Sequence, residues 1–307
     1  MTHTARVPSS ADPFRDGPPW PDWSEEFRVD EDAFAAAHDA LSPFERALIK
    51  QSLARLFAVH DPGAPVRRQR CDLYAPDVVA RSLCHPRPWA VVALGREFAS
   101  PVRLVAACMP AVRARVGTLA VVRVDADTPW PPPLLAALEL AGVETAFAFT
   151  AGQASRFFME TARTTPGGAV VDFGPAGRLP GGVLGRGCNP AGTLGVWRSS
   201  VRGFDLPALA FAHPGGGVEV WGKTSGLPGG FVVREGDFDD FLTSGYEAVF
   251  VPTGKIQAAL DAPFGPPLAL GPGMEFFWVC TGLAVADFLE TRLAFGPVCP
   301  GRGGGCP

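Results

Sequence analysis

The side chains of His213 and Asp261 are the candidates for acid–base chemistry in this sequence. His213 follows an apolar segment that we predict to be a strand and precedes a proline and three glycines. Imidazole is the side chain that titrates closest to neutral pH, which suits it to proton transfer. Asp261 lies near a predicted loop, where a carboxylate can face a ligand. A single histidine at the end of a strand is more often structural than catalytic.

The sequence lacks the common motifs for a nucleophile, a phosphate or a metal. It has no Gly-x-Ser-x-Gly and no P-loop, and one glycine, Gly95, replaces the dinucleotide fingerprint after the first predicted strand. The seven cysteines show no paired zinc-binding spacing, and no two of the five histidines are spaced as metal ligands. We therefore predict no metal site and interpret most cysteines as small buried residues in a reducing compartment. For Cys299 and Cys306, in a Gly/Pro-rich tail, a flexible end is favoured over a metal clip or a cross-link.

The composition is that of a globular chain. Hydrophobic residues make up 47% of the 307 residues and charged residues 19%, with a net charge of −4. No basic block suggests nucleic-acid binding. Neither a signal peptide nor a run of 18 apolar residues is present, so we expect a cytoplasmic protein without a membrane span.

The pattern of elements predicts an α/β fold. Asp30 and the capping box that begins at Ser42 predict a helical hairpin that ends near His60. Strands and helices then alternate from Trp89 to Phe173, which requires a parallel sheet with right-handed crossovers. Ligands bind such sheets beyond the carboxyl ends of the strands, here at Gly95 and at residues 150–153 and 174–177.

The second half of the chain is less regular. We interpret residues 174–203 as a loop, residues 206–212 as a strand and residues 281–294 as the last helix. Together these patterns predict two Rossmann-like α/β/α layers with mostly parallel sheets. The predicted divisions are an extended arm (1–28), a helical segment (29–87), a first Rossmann-like domain (88–177), a shortened second α/β domain (178–294) and a flexible tail (295–307).

Several stretches in the same order resemble the histidinol dehydrogenase family over residues 29–294. Leu140-Ala141-Gly142-Val143-Glu144, Ala151-Gly152-Gln153-Ala154, Gly174-Pro175-Ala176-Gly177 and Ala284-Val285-Ala286-Asp287-Phe288 are similar to four of its motifs. The resemblance implies a homodimer and descent from an enzyme that oxidises histidinol with NAD and zinc. It also implies a cofactor-binding edge formed by Gln153, Gly152, Gly174 and Gly177, with Gln153 as the glutamine that meets NAD.

The residues that this family uses for catalysis are mostly missing from the sequence. Its asparagine falls on Gly177, its Glu-His pair falls on residues 227–230, and its Asn-His falls on Leu268-Ala269. Asp261 matches its aspartate ligand in one register, and Ala262 does so in another. Histidinol oxidation requires a base and a Lewis acid, so we expect neither bound zinc nor that activity.

Two main hypotheses for the function follow. The first is a degenerate paralogue that acts as a ligand- or partner-binding protein, with a small molecule bound on the retained fold. The alternative is an NAD-dependent oxidoreductase without zinc that acts on a different alcohol, such as an amino alcohol, with His213 or Asp261 as its acid or base. A structural subunit in a larger assembly is a third interpretation, suggested by the aromatic residues of the N-terminal arm.

Overall fold

The computed structural model describes residues 19–61, 66–74, 78–125, 128–174, 176–189, 192–200, 203–215 and 217–297. Its helices are α1 (Glu31–Ala40), α2 (Pro43–Val59), α3 (Pro101–Ala114), α4 (Pro132–Leu140), α5 (Ala151–Thr164), α6 (Leu206–Ala212), α7 (Phe238–Thr243) and α8 (Ile256–Asp261). Its strands are β1 (Arg68–Tyr74), β2 (Val78–Pro86), β3 (Trp89–Leu94), β4 (Thr118–Val124), β5 (Ala146–Phe149), β6 (Ala169–Phe173), β7 (Leu184–Gly187), β8 (Leu194–Arg198), β9 (Val218–Gly222), β10 (Phe231–Arg234), β11 (Ala248–Phe250), β12 (Ala269–Leu270) and β13 (Leu289–Pro297). Short 3-10 helices span Asp22–Phe27, Thr253–Lys255 and Val285–Phe288.

The first large sheet is parallel, with the strand order β5-β4-β3-β6-β7. Every residue of its central strand β3 is buried, because helices cover both faces of the sheet. The continuous apolar run that makes β3 recognisable in the sequence is a consequence of this two-sided burial.

The second large sheet, β10-β9-β8-β11-β12, is also parallel and repeats the same order. In both sheets the first strand along the chain is central, the next two lie on one side and the last two on the other. The prediction of two Rossmann-like α/β/α layers is therefore confirmed. The chain passes from the last strand of the first sheet, β7, to the first strand of the second, β8.

Local capping signals position the helices as the sequence indicates. The Asp30 carboxylate accepts a hydrogen bond from the Ala33 amide, and Ser42 and Glu45 form the predicted reciprocal capping box. The sequence predicts that α3 runs to Val116 and is closed by Gly117. It stops instead at Ala114, because Arg115 takes a left-handed conformation with φ 56°.

A third, antiparallel sheet of the order β1-β2-β13 corrects two predictions. Residues 29–87 are not wholly helical, because β1 and β2 follow the helical hairpin. Residues 281–294 do not form a helix; they contain a 3-10 turn and most of β13. The apolar spacing in this segment is compatible with a helix, but pairing with β2 along nine residues of β13 overrides it.

Two further segments differ from their predicted structure. Leu206–Ala212 is a helix rather than a strand, because Asp205 caps it at Ala208 and Pro207 occupies its first turn. The segment interpreted as a loop contains β7 and β8. Both strands are short and contain glycine, so they give no clear strand signal in the sequence.

The N-terminal arm packs on its own chain from residue 19 onward. Trp20 is buried, stacks on Phe157 and meets Trp89 edge to face, and the Trp23 indole donates to Glu160 at 2.7 Å. The aromatic residues of this part of the arm thus complete the first domain. Phe14 and the cysteines Cys299 and Cys306 lie outside the described residues.

Candidate functional site

A cleft of about 200 Å³ lies where the two large sheets meet. Phe173 and Gly187 end two strands of the first sheet, whereas Glu247 and Leu268 immediately precede two strands of the second. The cleft therefore joins the carboxyl end of one sheet to the amino end of the other. Such a junction places residues from both layers against one ligand. The side chains with chemical potential on its walls are Cys188, Asn189, Glu247 and Cys280.

Cys188 is placed by the strand that precedes it. It follows β7 directly, and its amide donates to the Asp172 carbonyl of β6 at 2.7 Å, which extends the sheet by one residue. The Cys188 thiol is partly buried and forms a hydrogen bond with the Cys280 thiol. This hydrogen bond lowers the pKa of Cys188 despite burial and the charges of Glu247 and Asp172, which oppose ionisation. The same contact raises the pKa of Cys280, so Cys188 is the more acidic thiol of the two.

Arg103 connects the two layers behind the cleft. Its side chain projects from the first turn of α3 and is almost fully buried, and its Nη1 lies 2.7 Å from Glu247 Oε2. That contact is an ion pair whose geometry falls outside a directed hydrogen bond. The same Nη1 donates to the Asn189 carbonyl at 3.0 Å, and the guanidinium lies over the Trp278 ring, 4.2 Å from its centroid.

His213 does not line the cleft; it lies behind Arg103 and Trp278, which it contacts. Contrary to the prediction of a strand end, it caps the carboxyl end of α6. Arg103 Nε donates to His213 Nδ1 at 3.4 Å, which places the imidazole proton on Nε2, and the ring packs edge to face on Trp278. Burial, and then the charge of Arg103, lower the pKa of His213 well below 6.5. The side chain is thus a neutral support for Arg103 and Trp278.

The structure does not bring Asp261 into the cleft. Asp261 ends α8, and its carboxylate accepts a hydrogen bond from the Gln257 side chain, four residues earlier on the same helix. The two candidates for acid–base chemistry, His213 and Asp261, therefore do not face one ligand.

The residues predicted to bind a cofactor lie at the carboxyl edge of the first sheet. Gln153 Oε1 accepts from the Thr150 amide at 2.8 Å, in a capping box that begins α5. At Gly152, Gly174 and Gly177 an added Cβ would meet no atom within 4 Å, so these three positions face open space.

Two donors at this edge, the Ala151 amide and the Ser100 hydroxyl, are already used by the chain itself. The Asp125 carboxylate accepts from the Ala151 amide at 2.8 Å and takes the place that a phosphate would occupy at the start of α5. Ser100, at the start of α3, is buried and donates to the Ala212 carbonyl at 2.7 Å. The Ala151 amide is therefore not available to a dinucleotide phosphate. Asp172 accepts from the Gly174 and Ala176 amides, the structural role that its position suggests.

The described residues contain no group of three or more histidine, cysteine, aspartate or glutamate side chains arranged to hold a metal ion. Within the same residues, no helix has both the length and the apolar character needed to cross a membrane.

No protein-family model and no curated protein sequence matches the chain. Its structure is similar to histidinol dehydrogenase from Elizabethkingia anophelis, with a TM-score of 0.56 and 12% identity over 89% of this chain and 77% of that one. An NAD-dependent benzaldehyde dehydrogenase from Corynebacterium glutamicum covers 88% of this chain and 87% of its own, with a TM-score of 0.46 and 10% identity. The chain thus has a dehydrogenase-like fold.

The sequence does not single out Cys188, Asn189, Glu247 and Cys280 as the residues that form the cleft. The interpretation of most cysteines as small buried residues holds for Cys84, Cys108 and Cys280, whereas Cys188 is only partly buried. The available signal was its setting, Gly-Arg-Gly-Cys-Asn-Pro, because a structural cysteine more often lies in an apolar run. Cys71 also differs from the expectation of free thiols, because it is disulfide-bonded.

Proposed function

We propose that this protein does not oxidise histidinol and instead binds a small carbonyl compound in the cleft between its two sheets, through the Cys188 thiol. The observation that carries the proposal is the partly buried Cys188 with its lowered pKa, at the point where both layers contribute walls. A cysteine in this setting is a better nucleophile at neutral pH than an ordinary thiol.

The capture is a reversible addition. The Cys188 sulfur forms a bond to the carbonyl carbon, the C=O π bond opens, and the thiol proton ends on the former carbonyl oxygen. Asn189 and Glu247 line the same cleft and provide polar contacts for that oxygen. Arg103 holds both residues, through the Asn189 carbonyl and the Glu247 carboxylate, and so positions the polar wall of the cleft.

The absence of histidinol oxidation rests on the residues themselves. At the positions of the family's Glu-His and Asn-His pairs the sequence has residues 227–230 and Leu268-Ala269, none of which can transfer a proton. Leu268 lines the cleft, so an apolar side chain lies where the family's asparagine would be expected.

Competition for Cys188 tests this function. Iodoacetamide should alkylate Cys188 faster than the fully buried Cys108, and propanal should slow alkylation at Cys188 alone, as measured by peptide mass spectrometry. Cys108→Ser is the matched control and should leave both rates at Cys188 unchanged. No protection by propanal, or NADH formation from histidinol and NAD, would overturn the proposal.

The alternative is an NAD-dependent oxidoreductase with a different substrate. The open space over Gly152, Gly174 and Gly177 favours it, since a ligand can approach the backbone closely there. The occupied amide at Ala151 and the capping role of Gln153 count against it. A thermal shift with NAD or NADH separates the two, because a ligand that binds only the folded state raises the melting temperature.

We also propose that the protein is located in the cytoplasm, because a reducing compartment keeps Cys188 and Cys280 free. The disulfide at Cys71 points toward an oxidising one. Cell fractionation decides between the two compartments.

A further inference from the structure

Cys188 and Cys280 are hydrogen-bonded thiols that both line the cleft. They are 92 positions apart in the sequence, one directly after β7 and the other in the loop before the last 3-10 helix. Both are free, and Cys280 is buried whereas Cys188 is partly exposed. An accessible thiol therefore contacts an inaccessible one.

The other free cysteines lack this arrangement. Cys108 is fully buried in α3, and burial raises the pKa of its thiol to about 12. Cys84 is buried in β2, with its thiol directed to the Val66 carbonyl at 3.9 Å. Among the described free cysteines, Cys188 and Cys280 are thus the pair placed to react with each other.

We propose that Cys188 and Cys280 form a reversible disulfide that closes the cleft when a hydroperoxide is present. This inference rests on the proposed function in one respect, because ligand capture by Cys188 is the property that the disulfide would switch off. The disulfide itself requires no ligand.

The reaction is balanced in two steps. The Cys188 sulfur attacks one peroxide oxygen, an S–O bond forms, the O–O bond breaks, and the other oxygen leaves as water or an alcohol after taking up a proton. The Cys280 sulfur then attacks the Cys188 sulfur, the S–S bond forms, and the S–O oxygen leaves as water with the Cys280 proton. Cys188 is the attacking thiol because it is the more exposed of the two and its pKa is lowered, and the buried Cys280 resolves the sulfenic acid.

The closed state differs from the open one in two ways. The sulfurs approach to a bond length of about 2.0 Å, which draws the loop after β7 toward the loop that carries Cys280. The nucleophile is also consumed. Carbonyl capture should therefore stop on oxidation and return when a thiol reductant reopens the bond.

The experiment uses the full chain treated with a few equivalents of hydrogen peroxide, then with iodoacetamide. Non-reducing peptide mapping should find a peptide pair joined through Cys188 and Cys280, and dithiothreitol should remove it. Cys280→Ser should give no such pair and should instead accumulate oxygenated Cys188, whereas Cys108→Ser should behave as the unmodified protein. Alkylation of Cys188 by iodoacetamide should fall at least tenfold in the oxidised protein, and both alkylation and its protection by propanal should return after dithiothreitol.

Two results would overturn the inference. One is conversion of Cys188 to a sulfinic acid while Cys280 stays available to iodoacetamide. The other is a cross-link that joins Cys188 to any cysteine but Cys280. Loss of propanal protection in the fully reduced protein would contradict the proposed function alone, because the cross-link is detected by mass without a ligand.

Discussion

Arg103 Nη1 lies 2.7 Å from Glu247 Oε2, and this ion pair joins the first helix of one sheet layer to the first residue before β11 in the other. Arg103 is 3% exposed and Glu247 is 19% exposed. The attraction therefore acts where solvent screens it little. The relative position of the two cleft walls depends on this contact.

Removing one partner of the ion pair should destabilise the protein. Arg103→Met leaves Glu247 without its cation and the Asn189 carbonyl without its donor, so we expect a loss of about 3 kcal/mol in the free energy of unfolding. Glu247→Gln leaves Arg103, the more buried charge of the pair, without its counter-ion, so we expect a comparable loss. Urea unfolding of both variants and of the double variant measures the coupling, and strictly additive losses would show that the pair is not coupled.

Acidification should destabilise the protein through His213. Above the ordinary pKa of 6.5 the imidazole is neutral in both the folded and the unfolded state, so its contribution to stability is fully present. As the pH falls below 6.5 the unfolded chain takes up a proton that the folded protein does not. Up to about 1.4 kcal/mol of stability is then lost per pH unit, until the lowered folded pKa is reached.

A His213→Gln variant should reduce this dependence, because an amide can accept from Arg103 but does not titrate. Urea unfolding between pH 7 and about pH 5.5 measures the slope. Equal slopes in the variant and in the unmodified protein would contradict the assignment.

Two glycine substitutions should have opposite effects. At Gly168 an added Cβ would overlap the fully buried Trp89 indole, so Gly168→Ala should cost about 3 kcal/mol. At Gly152, in the first turn of α5, an added Cβ meets nothing, so alanine should stabilise the protein by about 0.5 kcal/mol. Thermal unfolding checks both. A Gly152→Ala variant that loses NAD binding would support the dinucleotide alternative.

The role of Gln153 can be tested by comparing two side chains. Gln153→Ala removes the acceptor of the Thr150 amide and should cost about 1 kcal/mol, whereas Gln153→Glu retains the capping box and should be nearly neutral. Urea unfolding measures both. Equal losses would show that Gln153 stabilises the protein by other means.

We propose that the chain forms a homodimer through the antiparallel sheet. Leu293 and Phe295 of β13 lie on the same face, opposite Ser82 and Ala80, and are 63% and 68% exposed. Burial of this face against a second copy would remove apolar surface from water. Phe295→Glu should shift the mass measured by light scattering from dimer to monomer, and Leu260→Glu, at an exposed position on α8, should not. A monomer in the unmodified protein would contradict the proposal.

The first sheet could be predicted from the sequence because its strands carry their own signals. Trp89–Leu94 is an uninterrupted apolar run between turns, and Thr118–Val124 is apolar except for Thr118 and Arg123. The segment Leu289–Pro297 has no such signal, because its structure is set by pairing with β2, two hundred residues earlier. A local pattern cannot contain that information.

The cleft was less predictable for a related reason. Cys188, Glu247 and Trp278 belong to three segments far apart in the chain, and each is unremarkable alone. What makes them a site is the buried Arg103 that contacts Glu247, Trp278 and the Asn189 carbonyl next to Cys188, and its burial is visible only after folding. The side chains of Gln153 and Asp261, which the sequence did suggest, accept hydrogen bonds within or at the start of their own helices.

Cys188 is the first of the six residues that connect the last strand of one sheet to the first strand of the other. An insertion or deletion in this short connection would therefore change the separation of the two layers and displace the reactive sulfur at the same time. Ligand size and thiol reactivity cannot drift independently during evolution when both depend on one connector. Homologues that bind larger ligands should accordingly carry their compensating changes elsewhere, in the loop of Trp278 and Cys280.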